Sequence, residues 1–502
     1  MSVGSAGASG GGVSGIARIE RIQPMMTGSA LPEGERIGLF HYRVTAEGWQ
    51  RLLQQNARMM TFLAFWANEE WATALFLLEG EQPLLLSTAV EQGHYQAVSP
   101  YFPAAQWGER ISRDLWGVEA WSALDDSPAL DDGSWSLTAP LSANPLPVAE
   151  GGGQPLPRCR IEPSCTPVPG LLGIDYVLSD GVMQQVDIQI AAGHRGVLSR
   201  LIGLTPQEAM PLVSRISASG FVSHPLAFVR ALEQAESRRI DPRERDRRLI
   251  LLEVERMGLH LFDLAQMAHQ AGAGLLASLY DHARETLAEV CTVHGLSRRL
   301  TDSISLEGKS GVEAIIPFVQ AVIQGIRPRM EQIRPLARLF DGRLKGVAAV
   351  PTDVAWEYAL GGVIGRASGR YLDMRYMDEG VRPQAMGGAG RHEGDAWARN
   401  RQCLAEIEES LKILERMTAD YGQESEGQAV PRTDEGLGVA EGPRGDVWYH
   451  VVLKEGRLAS VQIRDPMLPL LSVLGSVLEG HEPEQLGLVL ASLGVSPAGV
   501  AL

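Results

Sequence analysis

The sequence predicts an α+β fold: a small α+β N-terminal domain followed by a mostly helical domain with peripheral strands. Three observations carry this reading. Between residues 60 and 90, three apolar runs are bounded by charged or Gly/Pro turns, as strands are. Between residues 207 and 420, apolar residues recur at helical spacing over long stretches. Before the helices, residues 136–160 are rich in Pro, Gly, Ser and Ala and read as a linker. The chain has 502 residues, enough for one large or two to three ordinary domains. The expected division is a flexible tail at 1–15, a first domain at 16–135, the linker, and a second domain at 161–502.

Taken in order, Ser2 to Ser14 is rich in Gly and Ser, with no basic start and no apolar core, so it reads as a tail rather than a signal peptide. Met60–Trp66, Ala72–Leu78 and Leu84–Val90 read as strands. Ala104–Leu115 reads as a helix started by Pro103. In the second domain Val182–Ile190 alternates like a strand. Gln207–Arg238 reads as helical, and Asp241–Ala271 as one long helix through Arg248–Leu264. Leu275–His294 and Gly311–Phe340 continue the pattern, the latter with proline breaks, and Ala396–Asp420 is a further helix. Tyr421–Gly445 reads as a polar, Gly-rich loop, followed by a hairpin of Val447–Val452 and Leu458–Ile463.

Composition excludes several classes. A hydrophobic fraction of 45% supports an ordinary buried core. A net charge of −16 argues against nucleic acid, which needs a basic face. No apolar run is long enough to span a bilayer; Leu486–Val495 and Trp71–Leu78 are too short. The four cysteines, Cys159, Cys165, Cys291 and Cys403, form no Cys-x-x-Cys pair. That scarcity fits a reducing cytoplasm and argues against a zinc or iron–sulfur site built by this chain alone. Gly308-Lys-Ser310 lacks both the upstream glycine and the apolar strand of a phosphate-binding loop.

Two short stretches carry the functional signal: Arg215-Ile-Ser-Ala-Ser-Gly220 and Ser496-Pro-Ala-Gly499. The first follows Gly193-His-Arg-Gly196 and precedes Ser223-His-Pro-Leu-Ala-Phe228. Further pieces lie in order: Leu251-Leu-Glu-Val-Glu-Arg256 with His260; Gly365-Arg-Ala-Ser-Gly369 with Asp373-Met-Arg375; Gly394-Asp395; Glu441-Gly-Pro-Arg-Gly-Asp446; and Gln462-Ile-Arg-Asp-Pro466. From residue 161 onward this resembles the large subunit of membrane-bound, energy-converting nickel–iron hydrogenases and the related 49-kDa-type subunit of respiratory complex I. Upstream, Tyr101–Gly117 resembles the signature of the complex I 30-kDa-type subunit, through Glu109, Arg110, Asp114, Leu115 and Gly117.

In the hydrogenases the two stretches are Cys-x-x-Cys, and four thiolates hold the metals. Here Ser217, Gly220, Ser496 and Gly499 stand at those positions. Nickel and iron need soft, deprotonated thiolates, so the resemblance implies a large-subunit fold without its metal site. Read without it, the serines are helix or turn caps. Complex I has a His on a loop between the first two strands of this domain; Glu162–Gly170 has none, which leaves the quinone pattern incomplete. In the family, the turn with His194 and Arg195, and the helical His at the place of His260, lie near the terminal iron–sulfur cluster of a partner small subunit. The alternative for His260 is a core histidine one turn from Arg256, and for His224 a polar residue at a helix start. Arg366, Asp373, Arg375, Asp395 and Arg444 fall on family motifs, as a proton path or quinone-cavity wall, or as structural salt bridges.

The resemblance implies a component of a membrane-associated, NADH:quinone oxidoreductase-like or energy-converting hydrogenase-like complex. It would bind no cofactor itself, take electrons from a partner's iron–sulfur cluster, and pass them to quinone. The expected partners are an iron–sulfur small subunit and antiporter-like membrane proteins, on the cytoplasmic face of the membrane. A different class stays open: a non-catalytic scaffold that couples to ion-translocating partners.

Overall fold

A computed structural model of the chain describes residues 34–56, 60–78, 82–131, 135–147, 159–161, 172–190, 194–378, 392–423 and 432–502. The expected tail, Gly193, Cys165 and the Glu162–Gly170 loop lie outside the described residues.

The N-terminal domain is a five-stranded sheet with helices on one face. Its strands are β1 (Gly34–Arg36), β2 (His41–Val44), β3 (Met60–Ala67), β4 (Trp71–Leu78) and β5 (Gln82–Ala89), in the order β1-β2-β5-β4-β3. Only β2 and β5 run parallel. Helix α1 (Ala46–Asn56) inserts Trp49, Leu52 and Leu53 into the core on one face. Helix α2 (Gln106–Trp116) lies close on β3, because a Cβ at Gly108 would come within 2.6 Å of the Phe65 carbonyl. The signature residues work here as ties. Buried Glu109 accepts from the Val98 and Ser99 N–H groups, and Asp114 accepts from Ala129, Leu130 and Asp131. Arg110 donates to the Ser127 and Pro128 carbonyls, and Gly117 closes the helix at φ 70°.

The other sheet face is also buried, which is why β3 and β4 read as near-continuous apolar runs. Leu63, Leu75, Leu77 and Leu85 pack on Met374, Leu437 and Trp448 of the second domain. The indole N–H of Trp66 donates to the Ile463 carbonyl at 3.0 Å, and Arg464 donates to the Leu63 carbonyl at 2.9 Å. Residues 135–147 strap across the first domain, where the Leu141 N–H meets the Leu115 carbonyl.

The second domain is a helical bundle with small sheets at its edges. A hairpin of β6 (Gly173–Ser179) and β7 (Val182–Gln189) precedes it. Residues 207–238, expected to be helical throughout, form two helices, α3 (Pro206–Val213) and α4 (Ser223–Ala235). The intervening loop carries Ser217 and Gly220. Thr205 and Glu208 form a reciprocal capping box at the start of α3. Helix α5 (Pro242–Gln270) is central; Asp241 caps it and Pro242 opens it. It packs on α6 (Gly274–Val293) and α8 (Ala396–Ala419), with α7 (Ile315–Ala337) against α6. Pro328 and Pro335 do not break α7. Its buried stripe of Phe318, Val322, Ile326, Met330 and Ile333 carries the helix through them.

The expected loop at 421–445 contains a strand. Strands β8 (Glu435–Gly442), β9 (Gly445–Lys454) and β10 (Arg457–Arg464) form an antiparallel sheet. The glycines that suggested a loop permit close packing instead: Cβ atoms at Gly436 and Gly438 would come within 1.9 and 2.1 Å of the Ala231 and Ala227 carbonyls of α4. Two further helices, α9 (Met467–Leu478) and α10 (Leu486–Leu493), were not expected. They are apolar nearly all round and fully packed, so they carry no amphipathic period. Among the described residues no helix is long and apolar enough to cross a membrane.

Candidate functional site

Folding brings the two Ser-x-x-Gly stretches together under one guanidinium. Arg195 donates from Nη2 to the carbonyls of Ile216 (2.8 Å) and Ala498, and from Nε to Ala501 at 3.3 Å. One carbonyl group belongs to the loop before α4 and the others to the turn after α10. Burial lowers the pKa of Arg195, and the Asp465 carboxylate opposes this. His194, half-buried, has its ring 5.2 Å from that of Trp135; burial, then the Arg195 charge, lowers its pKa.

Ser217 and Ser496 are both 1% exposed. The Ser217 hydroxyl pairs with Ser219 Oγ at 2.7 Å and accepts from the Ser219 N–H, a local turn rather than a helix cap. Ser496 does not cap the turn that follows it, and its buried hydroxyl has no protein partner.

The two glycine positions are closed by other side chains. A Cβ at Gly220 would lie 2.5 Å from His224 Cδ2, and a Cβ at Gly499 would lie 1.7 Å from Asp465 Oδ2. These two neighbours meet each other: His224 Nε2 is 3.1 Å from Asp465 Oδ2, and His224 Nδ1 is 3.0 Å from the Tyr449 hydroxyl. The protonation that satisfies all three has Nε2–H donating to the carboxylate and the phenol donating to Nδ1. Asp465 also accepts from the Met467 N–H through its other oxygen. Burial, reinforced by Asp465, holds the Tyr449 phenol well above its ordinary pKa. His224 thus does more than start α4. Glu255 accepts from the Val222 and Ser223 N–H groups at 2.6 and 3.0 Å and fixes that helix start. Burial pushes the Glu255 pKa up to about 7 against those hydrogen bonds.

Beneath the loops runs a buried ion network. His260 Nε2 meets Glu406 at 2.9 Å, and Glu406 accepts from Arg366 Nε at 2.8 Å and Gln402 at 2.9 Å. Arg366 continues to Glu441 at 2.8 Å and Asp373 at 3.4 Å. Asp373 holds Arg375, which reaches Glu253 at 3.3 Å, and Glu253 accepts from Ser410. Arg256 closes the ring onto the Glu441 and Gly442 carbonyls and lies 3.6 Å from Glu406. Burial alone would raise the pKa of Glu406; Arg366 and His260 hold it well below the usual range. Glu441 goes the other way, up to about 7, through burial and then the Asp373 charge.

Of the remaining expected site residues, Asp395 lies apart from these clusters and Arg444 borders the serine loops. Asp395 caps α8, accepting from Ala398 at 2.8 Å and Gly346 at 2.7 Å. Arg444 pairs with Asp263 at 2.8 Å and leaves Nε and Nη1 without protein partners. It lines a groove of about 920 Å³ with Ser496, Ala218, Phe221, Gly258 and Phe262. Sequence reasoning missed Asp465 and Tyr449 as occupants of the site. Asp465 was visible only as part of the Gln462–Pro466 motif.

Residues 309–426 match the family described as the respiratory-chain NADH dehydrogenase 49 Kd subunit. The alpha subunit of the membrane-bound hydrogenase of Pyrococcus furiosus is 27% identical over 344 residues, covering 61% of this chain and 78% of that protein. The C/D subunit of the NADH-quinone oxidoreductase of Phocaeicola vulgatus is 26% identical over 328 residues, covering 61% of each. The D subunit of the NADH-quinone oxidoreductase of Dehalococcoides mccartyi is 24% identical over 345 residues, covering 65% of this chain and 93% of that protein. The chain is thus similar both to the 49-kDa-type subunit of respiratory NADH dehydrogenase and to the alpha subunit of the membrane-bound hydrogenase.

Proposed function

We propose that this chain is the large-subunit-like component of a membrane-associated oxidoreductase complex, and that it has no nickel–iron centre. The observation that carries this reading is the filling of the glycine positions. Side chains at 220 and 499 would project onto His224 and Asp465, so the hydrogen-bonded His–Asp pair takes the space that thiolates would need. The remaining two positions offer hydroxyls, which are hard, high-pKa donors. Elemental analysis of the purified native complex tests this: well under one nickel per chain is expected, and one nickel per chain overturns it.

Electrons would reach the complex through an iron–sulfur partner seated near His194, and quinone is the acceptor this family relationship favours. Attachment to the cytoplasmic face of the membrane would come through partner proteins. In cell fractions the chain should sediment with membranes and come off with salt or chaotrope. A stable, active monomer would contradict that. A second reading, a coupling scaffold without redox chemistry, is favoured by the continuous buried network from His260 to Glu253. Electron paramagnetic resonance of the native complex separates the two. A reducible cluster in a partner supports electron transfer, and none supports the scaffold.

A further inference from the structure

Three ligand-type side chains converge where the two domains meet, away from the serine loops. His41 comes from β2 of the first domain, Glu435 from β8 and His450 from β9 of the second. His41 Nδ1 lies 2.6 Å from Glu435 Oε1, and His450 Nε2 lies 2.7 Å from the same oxygen. One ligand atom from each falls within 4.8 Å of the other two. Both imidazoles are buried, and the carboxylate keeps a side-chain exposure of 16%, which leaves a path for an ion and a water.

The register explains the convergence. In the β8–β9 pair Leu437 stands opposite His450 and Glu435 opposite Val452, so Glu435 and His450 are diagonal neighbours on one face. In the first sheet Arg43 stands opposite Ser87, which makes His41 and Ser87 diagonal neighbours in turn. His41 Nε2 is 2.6 Å from Ser87 Oγ, and Ser87 Oγ is 2.6 Å from Thr73 Oγ1. This supplies the outer partner that metal-binding histidines almost always have: without an ion, Nδ1–H donates to Glu435 and Nε2 accepts from the Ser87 hydroxyl, and with an ion on Nδ1 the proton moves to Nε2 and donates to Ser87. Gly38 adds room, since a Cβ there would sit 2.3 Å from Glu435 Oε2.

We propose that His41, Glu435 and His450 bind one zinc-class divalent cation that clasps the two domains together. Two imidazole nitrogens and one carboxylate suit a borderline-soft ion and disfavour magnesium or calcium, which take oxygen ligands. Three protein ligands leave a fourth, tetrahedral position for water. Bonds of about 2.0–2.2 Å would spread the ligand atoms to roughly 3.3 Å from one another, a small opening of the present cluster. The nitrogens must give up the protons they now share with Glu435, so binding releases protons and weakens as pH falls. The site is separate from the residues carrying the proposed redox role, and its fate is independent of that proposal.

The test is a cobalt(II) titration of the full chain, untagged and stripped with chelator, followed by visible absorption and by metal content after gel filtration. One equivalent is expected to bind with a tetrahedral cobalt spectrum. Ser87→Ala, which keeps all three ligands, should weaken binding by about 10–100-fold. Glu435→Gln should weaken it further. Failure of the wild-type chain to retain cobalt overturns the proposal and leaves a hydrogen-bonded clasp only. So does unchanged retention in Ser87→Ala and Glu435→Gln, which would place the ion elsewhere. If Glu435→Gln does not fold, the wild-type stoichiometry and the Ser87→Ala affinity decide the matter.

Discussion

Around Glu406, carboxylates and guanidiniums alternate; the cations hold Glu406 and Asp373 charged, while burial and Asp373 push Glu441 the other way. Around Ser217 and Ser496, the groups are hydroxyls, an imidazole, a phenol, the carboxylates of Asp465 and Glu255, and the Arg195 guanidinium, which binds backbone carbonyls. The first cluster is stable only as a whole, because each ion removed leaves its neighbours buried and unpaired. The second is packed by shape, because two glycines give their space to His224 and Asp465. Charge pairing and steric filling predict different responses to mutation, so the contrast can be tested.

The largest effect should come from the ionic side. Arg366→Met removes the cation that meets Glu406, Glu441 and Asp373. The expected loss is about 3–5 kcal/mol, the scale for breaking a buried pair from one side. Thermal unfolding of the chain or its yield in the assembled complex reads this out. A loss below about 1 kcal/mol would mean that the network is not held by mutual pairing.

Next comes the steric side. Gly499→Ala places a methyl against Asp465 and should cost about 1–3 kcal/mol, as overpacking does. Asp465→Ala alone should also destabilise, by stripping His224 and the Met467 N–H of their acceptor. Combined, the two changes should cost less than their sum, because the alanine at 465 makes the space the methyl needs. Strict additivity in that double-mutant cycle would show that the glycine is not there to make room for Asp465.

How much of this contrast was legible in the sequence follows the same division. Strands β3, β4 and β5 were legible as apolar runs between turns, and the long helix α5 by its apolar period, but β1 and β2, which carries His41, were not expected. Strand β8 was not, since Gly436 and Gly438 look like turn residues and serve instead to admit the α4 backbone. Helices α9 and α10 were missed because burial on all sides erases periodicity. At the site, Ser217, Gly220, Ser496 and Gly499 were singled out only through the resemblance to hydrogenase large subunits. What fills them was not: His224 and Asp465 are 241 residues apart, and His41 and Glu435 are 394 apart. No local pattern encodes contacts at that separation.

The pH response should be smaller and should come from the steric side. Glu255 titrates near 7 in the folded chain against 4.5 for an ordinary Glu. Its folded pKa is raised, so between those values the native state holds a proton that the unfolded chain has released. Its contribution to stability is therefore present below about pH 4.5, declines as pH rises toward 7, and is flat above. Glu406 works in the opposite sense: its lowered pKa contributes stability that is lost as pH falls below the ordinary carboxylate range. Melting temperatures between pH 5 and pH 8 (about the span of interest) should fall less steeply in Glu255→Gln than in the wild-type chain. An unchanged slope would assign the pH dependence to Glu441 or another group.

The smallest expected effect concerns His260. Its Nε2 is engaged by Glu406, while its buried Nδ1 has no protein partner. In the proposed complex that nitrogen would be left to interact with a partner's iron–sulfur cluster. An imidazole that donates toward a cluster, or carries charge near it, favours the reduced cluster and raises its potential. Because Glu406 already neutralises much of any charge on the ring, the shift on removal should be modest. His260→Leu in the assembled complex should lower the midpoint potential by on the order of 60 mV or less, a tenfold change in a one-electron equilibrium. Redox titration followed by electron paramagnetic resonance measures this. The paired control is Gln402→Leu, which removes a neutral donor from the same carboxylate and leaves the imidazole in place. If both variants shift the potential equally, the effect travels through Glu406 and the ion network. If only His260→Leu shifts it, the imidazole acts on the cluster directly. If neither does, His260 is a core histidine of the ion network, and the approach of the cluster must be sought at His194 and Arg195.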